Sequence, residues 1–262
     1  MHALQLYYKS MLLQMKRSRQ YRFNFYMGIF GVIILYGTQF IALRITLAYF
    51  GEVVSWDMYE LAFLYGLWML TYGVLITVFA GVRDFAGFIH RGEFDVFLIR
   101  PHGILWQVMC GRLELTSWSH IGVSTGIIAW ASMHMDFTWS LNKVVEFTGI
   151  IVGGALIQGG LLLLWAALSF WIIQTGNFVN LGWTINANYM TYPLTVYDTG
   201  IRYLFTLFPM AFITYYPAAT FLGRTDSWGY QLGMYSPLVG LAFFLLMYGF
   251  WRFAARFYQS AG

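Results

Sequence analysis

The residues best equipped for chemistry lie in one run, Arg83-Asp-Phe-Ala-Gly-Phe-Ile-His-Arg-Gly-Glu-Phe-Asp-Val-Phe-Leu-Ile-Arg-Pro101. It interleaves charges of both signs with Phe85, Phe88, Phe94, Phe97 and Leu98. That chemistry is recognition rather than catalysis. Arginine makes bidentate hydrogen bonds to a partner's carboxylate, and apolar side chains fill a partner's groove. Arg100 is the candidate for the first role, and Phe94, Phe97 and Leu98 for the second. Gly92 permits a turn that strains other residues. Pro101 stops the amphipathic segment and sets the angle at which the next helix begins. A loop that only joins two helices needs about two to eight plainly polar residues. This one is longer and amphipathic, so it is either an interfacial helix resting on a membrane or a coupling element that inserts into a cytoplasmic partner. Both readings stay open on spacing alone.

A second set is Ser117, His120 and Ser124, with Ser119, a polar stripe inside an otherwise apolar stretch. Ionisable groups in such places face a cavity or a helix partner, so these residues either line a pathway or hydrogen-bond internally. The chain has no G-x-x-x-x-G-K-S/T phosphate loop. Its five histidines show no H-x-x-x-H or H-E-x-x-H spacing, and its single cysteine, Cys110, offers neither a zinc framework nor an intramolecular disulfide. No catalytic, cofactor or metal site is expected.

The elements that position these residues follow from composition. The 262 residues are 59% hydrophobic and 10% charged, with mean hydropathy +0.61, against about 25% charged in soluble domains. The apolar stretches run for the roughly 20 residues a helix needs to cross a bilayer, without the alternation of a β-barrel strand. The expected fold is an all-α integral membrane protein, a single domain over residues 1–262. Six crossings are expected at Phe23–Phe50, Met58–Val82, Ile104–Met133, Val144–Ile173, Gly200–Tyr216 and Pro237–Phe253. The first 22 residues read as an amphipathic interfacial helix. Residues 83–103 form the loop between the second and third crossings, and residues 217–236 suit a re-entrant hairpin shielded by protein. Asp198 and Arg202, four apart, read as a local ion pair.

Orientation follows the positive-inside rule. With the N-terminus inside, twelve Lys and Arg fall on the cytoplasmic side and only Arg44, Lys143 and Arg224 outside. Both termini and the 83–103 loop are therefore expected in the cytoplasm.

The run RGEFDVFLIRP, ending at Pro101, resembles the G-x-x-D-x-x-L-x-R-P motif in the first cytoplasmic loop of type-2 ATP-binding-cassette (ABC) exporter permeases. The basic amphipathic N-terminus, the stretch YYPAATFLGR and the terminal ARFYQSAG add to the likeness, which covers nearly the whole chain. The resemblance implies the membrane-spanning subunit of an exporter in the inner membrane of a prokaryote. This chain would form half the pathway with a second permease, related or identical. Two separate ATPase subunits would hold ATP and magnesium. The substrate class implied is a drug, lipid, peptide or glycan of hydrophobic or amphipathic character, moved outward. The implied partners are these subunits and the bilayer, not nucleic acid. Arg83, Asp84, Arg91, Gly92, Glu93, Phe94, Asp95, Phe97, Leu98, Arg100 and Pro101 would form the ATPase-facing element. Two other classes compete. A membrane-embedded lipid-modifying enzyme needs convergent carboxylates or histidines at one depth, and His120 has no obvious partner. An ion-coupled carrier often carries inverted repeats, and none is visible.

Overall fold

A computed structural model describes residues 22–50, 56–111, 114, 116–135, 138–172, 175–225 and 227–258. The expected interfacial helix over 1–22 lies outside these, apart from its last residue. Every regular element among the described residues is helical. In chain order the α-helices are α1 (Arg22–Phe50), α2 (Met58–Arg83), α3 (Phe85–His90), α4 (Phe94–Ile99), α5 (Ile104–Gly111), α6 (Ser117–Met133), α7 (Leu141–Leu168), α8 (Thr175–Tyr189), α9 (Thr199–Leu207), α10 (Tyr215–Phe221) and α11 (Ser236–Ala254).

Helix α2 is the central post. Asp57 and Glu60 start it with a capping box: Asp57 Oδ1 accepts the Met58 N–H at 2.6 Å and Glu60 Oε2 accepts the Asp57 N–H at 2.8 Å. Of its most apolar stretch 83% is buried inside the protein, against 11% for α1. The 26 residues of α2 span about 39 Å, so Glu60 and Arg83 mark opposite ends of the bundle. Near the first, Glu60 pairs with Arg224, which lies over the Trp56 ring; Lys143 lies over the Phe221 ring.

Helices α7 and α11 touch backbone to backbone. A Cβ on Gly240 would stand 2.4 Å from the Gly153 carbonyl oxygen, and one on Gly153 would stand 2.7 Å from that of Ser236. Only glycine at both positions allows this approach, the small-residue packing that replaces the hydrophobic drive in lipid.

Among the described residues four helices are long and apolar enough to cross a membrane, and a bent pair makes a fifth if it is one span. The third expected crossing divides into α5 and the 17-residue α6. The fifth is not one helix: α9 ends at Leu207, and the segment Pro209–Phe221 leaves at 74°. Pro209 has no N–H to donate into α9 and cannot continue it. Its 3-10 turn and α10 are buried within the protein rather than facing lipid. Asp198 and Arg202 do not pair with each other. Asp198 caps α9 through the Gly200 N–H, while Arg202 donates to the carbonyls of Tyr197 and Thr195 at 2.7 Å.

Candidate functional site: a docked loop and an interior cavity

Residues 83–103 fold as two short helices joined by the turn at Gly92, whose φ of +67° is the left-handed conformation glycine adopts without strain. One face is committed to the chain itself. Phe85, Phe88, Phe94 and Phe97 are all buried. Phe85 meets Phe94 and Trp251 edge to face, and Phe94 meets Phe170 and Tyr258 at 5.5 and 4.6 Å between centroids. The loop is thus clamped onto the end of α7 and the last helix. This corrects the expectation that Phe94 and Phe97 fill a partner's groove: they already fill their own. The outward face carries Val96, Leu98 and Ile99, exposed by 41, 47 and 83%, with Arg100 and Pro101 exposed beside them. Val96 and Ile99 escaped the sequence reading, although their three-residue spacing, opposite Phe94 and Phe97, marks a second face.

The loop is tied at both ends. Arg83 Nη2 donates to Glu114 Oε2 at 2.5 Å, joining the end of α2 to the approach of α6. Gln107, buried in α5, donates to the carbonyls of Phe97 and His102 at 3.0 and 2.8 Å. Between these anchors Arg91 pairs with Glu93 at 2.5 Å across the Gly92 turn. Asp84 caps no helix through its side chain, and Asp95 is half-buried in the first turn of α4.

The candidates Ser117, His120 and Ser124 are buried in α6 and bonded internally. His120 Nδ1 shares a 2.5 Å hydrogen bond with the Tyr36 hydroxyl, a partner 84 residues away in the chain. Ser117 Oγ donates to the Glu114 carbonyl at 2.6 Å and accepts from Thr77 at 2.9 Å. Gly122-Val-Ser124-Thr-Gly126 has the spacing of a nucleophile elbow, but that motif needs a strand-to-helix turn. Here it is helix interior, and Ser124 Oγ donates to the Ile121 carbonyl at 3.0 Å. Among the described residues no group of three or more His, Cys, Asp or Glu could hold a metal ion.

A cavity of about 230 Å³ lies instead between α2, α7 and α8. Tyr72, Arg83, Gln158, Trp165, Asn180, Trp183 and Asn186 supply its polar and aromatic lining. Gln158 Nε2 donates to Thr71 at 2.8 Å, and Asn186 Oδ1 accepts from Trp68 Nε1 at 2.6 Å. The α8 contributors fall in a polar, Asn-rich stretch outside every expected crossing. The signal was the spacing Asn180, Trp183, Asn186, which puts all three on one helical face.

An apolar helical bundle whose long helices can cross a bilayer is the architecture of a multi-pass membrane protein. The family model described as "ABC-2 family transporter protein" matches residues 33–262, and the chain belongs to that family. Such proteins are transport permeases that carry no ATPase site and work with ABC ATPase subunits. No curated protein and no solved structure matches the chain significantly.

Proposed function

We propose that this chain is the export permease of a prokaryotic ABC complex, in the cytoplasmic membrane with both termini inside. It forms half of an outward pathway for a hydrophobic or amphipathic substrate with a second permease, related or identical. Two ATPase subunits holding ATP and magnesium dock below. The observation that carries this reading is family membership over residues 33–262. The twelve-to-three Lys/Arg bias supports the orientation. The crossings are α1, α2, α5 with α6, α7, the bent segment from α9 to Tyr216, and α11, with residues 217–236 returning on the outer side.

The docking surface is the outward face of residues 83–103, centred on Val96, Leu98, Ile99 and Arg100. Arg83, Asp84, Arg91, Gly92, Glu93 and Pro101 shape and hold it, and Phe94 and Phe97 anchor it from inside. Co-purification with an ABC ATPase tests the proposal. The chain alone hydrolyses no ATP and the complex does; a chain that purifies without any ATPase and transports unaided overturns it.

A further inference from the structure

The cavity lies between α2, α7 and α8, with Met210 completing its wall. Its lining has a chemical direction. Tyr72, Trp165 and Trp183 present rings, and Tyr72 and Trp183 stand 4.1 Å apart between centroids. Arg83 is the single ionised side chain among the described lining residues, and no carboxylate lies in the wall. A guanidinium carries five N–H donors. The hydrogen bond to Glu114 uses Nη2, and 33% of the Arg83 side chain remains exposed. Asn186 uses its carbonyl oxygen on Trp68, which leaves its amide N–H groups as donors.

We propose that this cavity binds a small aromatic organic anion, its ring system among Tyr72, Trp165 and Trp183 and its acidic group on Arg83. The volume of about 230 Å³ exceeds the roughly 150 Å³ that holds benzene, so a fused or linked pair of rings fits. The Glu114 carboxylate that pairs with Arg83 stands outside the wall, so a cation in the cavity meets the guanidinium rather than the carboxylate. A neutral ring leaves the remaining donors unmatched. An anion satisfies them by charge-assisted hydrogen bonds, which are the strong kind in surroundings of low polarity.

The test uses the full-length chain in lipid nanodiscs, with empty nanodiscs as the baseline for partition into lipid. The chain is titrated with 1-anilinonaphthalene-8-sulfonate and, in parallel, with N-phenyl-1-naphthylamine, the same ring system without the sulfonate. The sulfonate shows a saturable component above the baseline and binds tighter than the neutral compound. Glu114→Gln removes the competing carboxylate and tightens sulfonate binding further. Adding Arg83→Gln to Glu114→Gln, so that neither charge is left alone, weakens the sulfonate about tenfold or more relative to Glu114→Gln. The neutral compound is unchanged by that step. Leu161→Trp, which fills the cavity, removes the saturable component for both. The proposal fails if the sulfonate binds no tighter than the neutral compound, if the double variant binds it like Glu114→Gln, or if saturable binding survives Leu161→Trp. Should the double variant not insert, Leu161→Trp decides alone.

Discussion

Replacing Ile99 and replacing Phe94 by alanine separate the two faces of the loop. Ile99 is 83% exposed and Phe94 is fully buried, although one helix of six residues holds both. Removing an exposed side chain changes the stability of the isolated chain by less than about 0.5 kcal/mol. If Ile99 fills a groove in the ATPase, its truncation costs about 2 kcal/mol of binding, close to a thirtyfold loss of affinity. Phe94→Ala instead leaves a hole among Phe85, Phe170 and Tyr258, and such a truncation costs about 3 to 5 kcal/mol of packing. The assay pairs thermal unfolding of the purified permease with titration of its ATPase. Ile99→Ala should melt like the wild type and bind weakly, with Leu98→Ala and Arg100→Ala behaving alike. Phe94→Ala should lose both properties. Wild-type ATPase affinity in Ile99→Ala, Leu98→Ala and Arg100→Ala together would refute the assignment of this face as the docking surface.

Three other outcomes are expected. Gly240→Leu drives a side chain into the Gly153 carbonyl and should cost at least about 1 to 3 kcal/mol, seen as aggregation on size exclusion. Arg224→Ala strands Glu60 at the N-terminal end of α2, where the two side chains are 11 and 21% exposed; it should lower stability by about 2 kcal/mol, below the 3 to 5 of full burial, and adding Glu60→Gln should recover part of it in thermal unfolding. Glu93→Cys in a Cys110→Ser background should react with an impermeant thiol reagent only after the cytoplasmic side is opened; labelling from outside intact cells reverses the topology.

Much of the bundle is legible in the chain because lipid imposes one simple demand, a long apolar run. The expected Met58–Val82 and Pro237–Phe253 sit within a residue of α2 and α11. The rule fails where residues answer to protein instead of lipid. Helix α8 is rich in asparagine and falls outside every expected crossing, yet Asn180 and Asn186 line a cavity in the bundle. The expected crossing Gly200–Tyr216 is apolar enough to read as one span, but Pro209 turns its second half into the core. In the loop, sequence revealed an amphipathic segment with Gly92 and Pro101 at its turns. It gave no way to tell whether the phenylalanines belong to this chain's core or a partner's, because a phenylalanine buries equally well in either.

The glycine contact between α7 and α11 makes the two helices mechanically one part. Close-packed interiors transmit displacement rather than absorb it, and at Gly153 and Gly240 there is no side chain to act as a spring. Phe170, just beyond α7, and Trp251, in α11, both hold the loop's phenylalanines. A push on α4 therefore arrives at both helices together, as through a welded yoke. Helix α1, only 11% buried, is coupled to that yoke much more loosely. Displacement within the subunit costs least at the seam between α1 and the rest.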